Sequence, residues 1–285
     1  MGTSQDIFDG EGNKFTLWDM PPLSEAEVNS YLQFAQRMVF EAGGILREGY
    51  YRRKEIAHKS GKELVTSADL ASEKFIRSQI ETTYPDHKIL SEEFGELQKI
   101  AVENLWVVDP LDGTNNFAHG FPFFCVSVAF VHRGHLVLGV IYDPLREEIF
   151  WATVYSEAYL NGEKIKVSQI DNISGALLAT GFPYDLSPET ENNLDHFVNF
   201  SYAAQGIRRA GSAALDLAYV AAGRLDGFWE LKLRPWDMAA GALIVKKAGG
   251  VVTDFAGNPW ALSSDRIVAA NPQIHPQMLE IIRGR

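Results

Sequence analysis

The chain has 285 residues, 46% of them hydrophobic and 12% aromatic, so it can bury enough apolar surface to offset chain entropy without disulfide staples. Its formal charge of −11, from 26 Lys and Arg against 37 Asp and Glu, disfavours nucleic-acid backbones and anionic membranes as main partners. An acidic protein that handles an anion needs local positive charge, and metal ions held by carboxylates are the usual source.

Residues 1–23 are mixed polar and aromatic, lack a charged-then-apolar signal pattern, and read as an extension of low order. A first helix is predicted from Ser24, which forms a capping box with Glu27. Val28, Leu32, Ala35, Val39, Ala42 and Leu46 follow at helical spacing and give it one core face. A second helix is predicted from Thr66, with Asp69 in its first turn and Phe75, Ile76 and Ile80 turned inward, and Tyr84-Pro85-Asp86 ends it. Glu92 and Glu93 follow a short apolar stretch, Lys88 to Leu90, and taken alone such a pair is a solvated turn. Leu105 to Val108 reads as a buried strand that ends in Asp109-Pro110 and delivers its C-terminal end to a loop, where open sheets carry chemistry.

Residues 123–142 give two strands joined at Arg133-Gly134. A third strand runs from Glu148 to Thr153, and Asn161-Gly162 forms a hairpin turn. Cys125, the only cysteine, lies in the apolar run FFCVSVAF and reads as a small buried hydrophobe; its being alone excludes an internal disulfide and points to a reducing compartment, by default the cytoplasm. Beyond about residue 170 strands and helices alternate: strand 176–180, helices 188–202 and 212–222, strand 226–230, helix 235–248, and strands near 251 and 268. The Gly249-Gly250 pair reads as a helix C-terminal cap. Three parts are expected: an extension over 1–23, an α+β part over 24–165 and an α/β part over 166–285.

The chemistry concentrates in WVVDPLDGTNNF, residues 106–117. Asp109 and Asp112 leave the end of a buried strand three residues apart, and Pro110 fixes the turn so that both carboxylates can converge on a cation. Gly113 permits close backbone approach, while Thr114 and Asn115 begin a helical turn whose free N–H groups can receive phosphate oxygens. The plainer alternative is an Asx turn that merely ends a strand. Asp237, in PWDMAAG, starts a helix that Ala239, Ala240 and Gly241 allow to pack closely; alone it could simply compensate the helix dipole. His58, His119 and His135 are scattered, so the donors are hard oxygens, which suit magnesium and not zinc.

Taken in order, EE at 92–93, DPLDGTNNF at 109–117, GSAALDLAYVAAGRLDGFWE at 211–230 and PWDMAAG at 235–241 resemble the inositol monophosphatase family. The resemblance implies a layered αβαβα sandwich and a magnesium-dependent phosphomonoesterase acting on a small sugar or cyclitol phosphate. It implies that Glu92, Asp109 and the Leu111 carbonyl hold one metal, and that Asp109, Asp112 and Asp237 hold a second. A third ion would lie near Glu92, with Asp69 and Lys59 in its outer shell. Glu92 and Thr114 would position the attacking water, and Asp112, Gly113, Thr114, Ser212, Ala213 and Glu230 would meet the substrate. It also implies a homodimer and inhibition by lithium.

Arg208 and Arg209 are read as structural, with a second phosphate, Asp216 or a subunit interface as the other roles. The stretch YSEAYLNG at 155–162 lacks glycines that relatives often carry before the hairpin, which puts the position of that loop, and with it the substrate fit, in doubt. Myo-inositol monophosphate is the expected substrate. Fructose-1,6-bisphosphate and histidinol phosphate remain open, while Asn115-Asn116 argues against the nucleotide phosphatases, which usually carry a charged pair there. A regulatory role, with the fold serving as a protein-binding surface, is the alternative from another class.

Overall fold

The computed structural model describes residues 7–8, 14–15, 17–51, 56–60, 63–92, 102–187 and 190–284, with the pairs at 7–8 and 14–15 and residues 56–60 and 63–65 described by their backbone alone. Glu93, the side chains of His58 and Lys59, and residues 188–189 of the helix predicted over 188–202 lie outside the described residues. So does most of the predicted extension, of which β1 (Ile7–Phe8) and β2 (Lys14–Phe15) pair as a short antiparallel ribbon.

Helix α1 (Glu25–Tyr51) starts at the predicted capping box: the Ser24 N–H donates to Glu27 Oε2 at 2.8 Å and the Glu27 N–H to Ser24 Oγ at 3.3 Å. It runs past Leu46 and through Gly49 to Tyr51, a stretch without proline. A hairpin of β3 (Ile56–Ser60) and β4 (Glu63–Thr66) leads into α2 (Ser67–Thr83), where Thr66 and Asp69 form a second capping box.

Next comes a seven-stranded sheet. Its strands are β5 (Lys88–Ser91), β6 (Asn104–Asp112), β7 (Cys125–His132), β8 (His135–Asp143), β9 (Glu148–Thr153), β10 (Tyr159–Leu160) and β11 (Glu163–Lys164), in sequential spatial order; the short helix α3 (Thr114–His119) leaves the end of β6. All neighbours pair antiparallel except β5 and β6, which are parallel.

A five-stranded sheet follows, built from β12 (Leu177–Thr180), β13 (Gly206–Arg208), β14 (Gly227–Leu231), β15 (Val251–Thr253) and β16 (Arg266–Ala270) in the order β13-β12-β14-β16-β15. Its helices are α4 (Leu194–Ala203), α5 (Ala213–Ala221), α6 (Pro235–Lys247) and α7 (His275–Ile282). Helix α4 begins at Leu194, later than the sequence pattern predicts, because the Asn193 amide is held by Thr180 Oγ1 and the Gly181 carbonyl, both at 2.7 Å. The tandem glycines do cap α6: Gly249 has φ +88° and the Gly250 N–H donates to the Val245 carbonyl at 2.9 Å.

Helices α1 and α2 cover one face of the large sheet, α5 and α6 fill the space between the sheets, and α4 and α7 cover the outer face of the small one: five layers, αβαβα. The apolar patterning explains this order. Trp106 and Val108 of β6 pack with α1 and α2, while Leu105 and Val107 pack with α5 and α6, so the strand is apolar on both faces. Helices α5 and α6 are buried nearly all round, and their small residues let the layers close: a Cβ at Gly241 would stand 2.5 Å from Leu217 Cβ. No helix among the described residues is long and apolar enough to cross a membrane.

The end of β6 also differs from expectation. Strand β6 does not end at Asp109 but runs on to Asp112, with a register shift between Asp109, opposite Ser127, and Asp112, opposite Cys125. One extra residue on β6 makes a bulge there, a place where Pro110, which has no N–H to give the ladder, is tolerated.

Candidate functional site

The bulge turns Asp109 and Asp112 toward one point, and the N-terminus of α6 brings Asp237 to it. One carboxylate oxygen from each lies within 4.8 Å of the others. Each acid is held by hydrogen bonds to one of its oxygens. Asp109 Oδ1 accepts the Leu111 N–H at 3.0 Å, which is the Asx turn foreseen as the plainer alternative. Asp112 Oδ2 accepts the Ser212 hydroxyl at 2.6 Å and the Ala214 N–H at 2.8 Å, at the start of α5. Asp237 Oδ2 accepts the Arg234 N–H at 2.7 Å and so also caps α6. At Asp109 and Asp237 the turn or cap contact coexists with a place in the acidic cluster.

Glu92 follows the end of β5; the parallel register sets Ser91 opposite Val108, which puts Glu92 level with Asp109. The Leu111 carbonyl lies 3.0 Å from Thr114 Oγ1, and the same hydroxyl is 3.0 Å from Asp69 Oδ1. Asp69, fully buried on α2, accepts at Oδ2 from the Thr66 N–H at 2.9 Å and from the Thr66 hydroxyl. Gly113, between Asp112 and Thr114, has φ +96°, and a Cβ there would stand 2.9 Å from the Phe123 carbonyl. Only glycine takes this position without strain.

Crowding sets the electrostatics. Burial, and then the charges of Glu92, Asp112 and Asp237, hold Asp109 well above the ordinary carboxylate range, while burial and then Asp112 do the same for Asp237. Asp112 is pushed by burial up to about 6, against the lowering effect of its bonds to Ser212 and Ala214. Burial also raises Asp69, opposed by Thr66 and Thr114. Acids so arranged favour a cation among them.

Ser212, the N-cap of α5, donates to Asp112 and accepts the Leu215 N–H at 3.3 Å. Ala213 begins that helix. Glu230, on β14, is raised to about 8 by burial, with Arg209 opposing, and its carboxylate lies where a Cβ at Gly181 would stand.

Four residues beside these acids were not legible as site residues. Cys125 packs its Sγ 3.9 Å from Asp112 Oδ2 and 3.8 Å from Ser212 Oγ, and burial followed by the Asp112 charge raises its thiol. Asn116 donates through Nδ2 to the Phe123 and Ala210 carbonyls at 2.7 and 2.8 Å, pinning the segment before Ser212 to α3. Tyr184, half exposed, has its phenol raised by partial burial and by Asp112, Glu92 and Asp237. Asp216 is 2% exposed on α5. The one available signal was helical spacing, which puts Asp216 one turn beyond Ser212.

A profile of the "Inositol monophosphatase family" matches residues 27–284. An inositol-1-monophosphatase of Synechocystis is 40% identical over 263 residues, covering 92% of each chain, and the protein named Nus factor SuhB of Escherichia coli is 42% identical over 254 residues, covering 88% of this chain and 95% of its own. Among solved structures, the extragenic suppressor protein suhB of Bartonella henselae matches with a TM-score of 0.84 at 38% identity, over 89% of this chain and 98% of its own. The inositol monophosphatase of Anabaena matches with a TM-score of 0.82 at 40% identity, over 90% and 97%.

Proposed function

Since this chain belongs to the inositol monophosphatase family, we propose that it is a magnesium-dependent phosphomonoesterase that releases inorganic phosphate from myo-inositol monophosphate and related sugar phosphates. The observation that carries this reading is the convergence of Asp109, Asp112 and Asp237 to within 4.8 Å. Their carboxylates, the Leu111 carbonyl and Glu92 make an all-oxygen donor set, which fits a small hard cation. Carboxylates that burial drives toward protonation regain their ionised form when a divalent ion shares the space.

In this reading Asp109, Glu92 and the Leu111 carbonyl would hold one ion and Asp109, Asp112 and Asp237 a second; Asp69 would belong to the outer shell of a third, to which the family resemblance also assigns Lys59. Magnesium bound there supplies charge neutralisation and acidifies water, the chemistry a phosphate dianion needs. Glu92 and Thr114 Oγ1 orient a water for in-line attack on phosphorus, and the water's proton passes through Thr114 toward Asp69 Oδ1, 3.0 Å from that hydroxyl. The backbone at Gly113 and Thr114 receives phosphate oxygens, while Ser212, Ala213 and Glu230 face the hydroxyls of the leaving alcohol. The same reading makes the protein a cytoplasmic homodimer inhibited by lithium.

Within the family, fructose-1,6-bisphosphatase activity is the alternative, for which Arg208 or Arg209 would have to reach a second phosphate. Relatives named Nus factor support a second reading, a regulatory protein-binding role on the same fold. Phosphate release from a panel of myo-inositol 1-phosphate, fructose 1,6-bisphosphate, 3'-phosphoadenosine 5'-phosphate and histidinol phosphate, with magnesium and with chelator, separates them. One dominant, chelator-sensitive substrate is expected; turnover of none would leave the regulatory reading.

A further inference from the structure

Asn116 makes a long-range tie that the mechanism above does not use. It lies half-buried in the short helix α3, and its Nδ2 donates to the Phe123 carbonyl at 2.7 Å and to the Ala210 carbonyl at 2.8 Å, with the Gly211 carbonyl at 3.2 Å. Only the nitrogen end of an amide fits among three carbonyl oxygens, so this side chain has one orientation. Gly211 has φ +87°, and a Cβ there would stand 3.2 Å from Asn116 Nδ2 and 3.1 Å from Arg209 Nη1. Its carbonyl in turn lies 3.3 Å from where a Cβ at Gly113 would stand, so the two glycine turns close on the amide between them. Directly after this contact come Ser212 and Ala214, whose hydroxyl and N–H hold Asp112 Oδ2 at 2.6 and 2.8 Å. Asp237 is placed by a separate tie, from Ser127 Oγ to the Trp236 carbonyl at 3.3 Å.

We propose that Asn116 is a positioning residue for Asp112: by tying Ala210 and Gly211 to α3 it keeps Ser212 and the Ala214 N–H docked on the acid, and so sets the affinity for the ion that Asp112 holds. The inference rests on the metal assignment above. The links act in series, from the Asn116 amide to the Ala210 carbonyl and from Ser212 and Ala214 to Asp112. When the segment undocks, Asp112 loses the contacts that orient it, and a divalent ion has to draw the segment back as it binds. Apparent affinity then falls by the fraction of molecules that are docked, whereas the fully loaded protein is the same in either case. A side chain that only stabilises the fold behaves differently: its loss lowers the melting temperature without shifting the affinity for magnesium.

The test uses the full chain with magnesium chloride as the probe, read by thermal melting, by hydrogen exchange over residues 210–216 and by turnover of myo-inositol 1-phosphate. Asn116→Leu keeps the branched shape and removes the donors; Asn116→Ala is the smaller change and carries the same test where the leucine variant does not fold. Exchange over 210–216 in the metal-free variant should be faster than in the parent and return to the parent rate at saturating magnesium. The magnesium concentrations needed for a given rise in melting temperature and for half-maximal turnover should each increase about tenfold, with kcat at saturating magnesium within about threefold of the parent. Ser212→Ala breaks the next link and should raise both concentrations by a similar factor, and the double variant should go no more than about twofold beyond the larger single effect. Equal magnesium dependence in variant and parent overturns the proposal, as does a double variant whose factors multiply or a loss of kcat that magnesium does not restore. A parent whose melting temperature ignores magnesium removes the metal assignment itself, and the inference with it. If the parent binds magnesium and leaves the substrate intact, melting and exchange decide the inference alone.

Discussion

The Ser212 hydroxyl donates to Asp112 Oδ2 at 2.6 Å across a separation of 100 residues, and the Ala214 N–H donates to the same oxygen at 2.8 Å. This contact fastens the bulged end of the large sheet to the N-terminus of α5, in the layer between the sheets. The acid is thereby oriented by the positive end of a helix within reach of Asp109 and Asp237.

Asp112→Asn removes the charge with little change in volume, so turnover should fall by at least about 100-fold while the fold persists. Magnesium should raise the melting temperature of the parent and raise that of the variant much less. Without metal the variant should melt no lower than the parent, because one member of a crowded acid cluster is gone. Undiminished turnover would refute the assignment of Asp112 as a ligand.

Thr114→Val deletes the hydroxyl that links Asp69 Oδ1 and the Leu111 carbonyl, each 3.0 Å away, and keeps the shape. The rate constant for turnover should drop about 100-fold, the scale of a lost positioning and proton-transfer group, with magnesium affinity within about threefold. A variant that lost metal affinity and kept its rate at saturating magnesium would contradict the proposed role.

Gly139→Ala tests the layer contact that sets Asp237. A Cβ on β8 would stand 2.6 Å from the Ala240 carbonyl oxygen and 2.7 Å from Ala240 Cα, and backbone cannot rotate away as a side chain can. Urea denaturation should show a loss of about 2–3 kcal/mol, as overpacking of a tight core does, and magnesium affinity should weaken as α6 shifts. Unaltered stability would mean that the layers are looser than this geometry.

Glu230 is raised by burial from 4.5 to about 8, so its sign in pH dependence is fixed. A carboxyl with a raised folded pKa contributes stability below the unfolded value and loses it as pH climbs through the folded one. In metal-free protein, Glu230→Gln should melt like the parent at pH below about 4.5 and increasingly above the parent's temperature as pH rises toward about 8. A gap that closes with rising pH would reverse the assignment. The variant should also alter preference among substrates more than magnesium affinity.

Local features were legible because their causes are local. Ser24 with Glu27 and Thr66 with Asp69 announce helix starts through cap chemistry two or three residues long, and the tandem Gly249-Gly250 announces a helix end. Asp109, Asp112 and Asp237 stood out as acids at element ends, and the structure brings them together. Cys125 read as an ordinary core residue, and it is buried, yet its sulfur rests against Asp112 and Ser212, which no periodicity can reveal.

By itself the sequence determined the elements, the apolar faces that stack them in five layers, and the oxygen-rich set of candidate donors, since each depends on residue type and short-range spacing. Tertiary structure alone decided that β6 bulges through Pro110 and Leu111 to Asp112, that Ser212 reaches back to Asp112, and that Asn116 ties the segment before Ser212 to α3. Those relationships depend on register and packing between segments up to a hundred residues apart, and the balance of burial and charge they create exists only once the layers have closed.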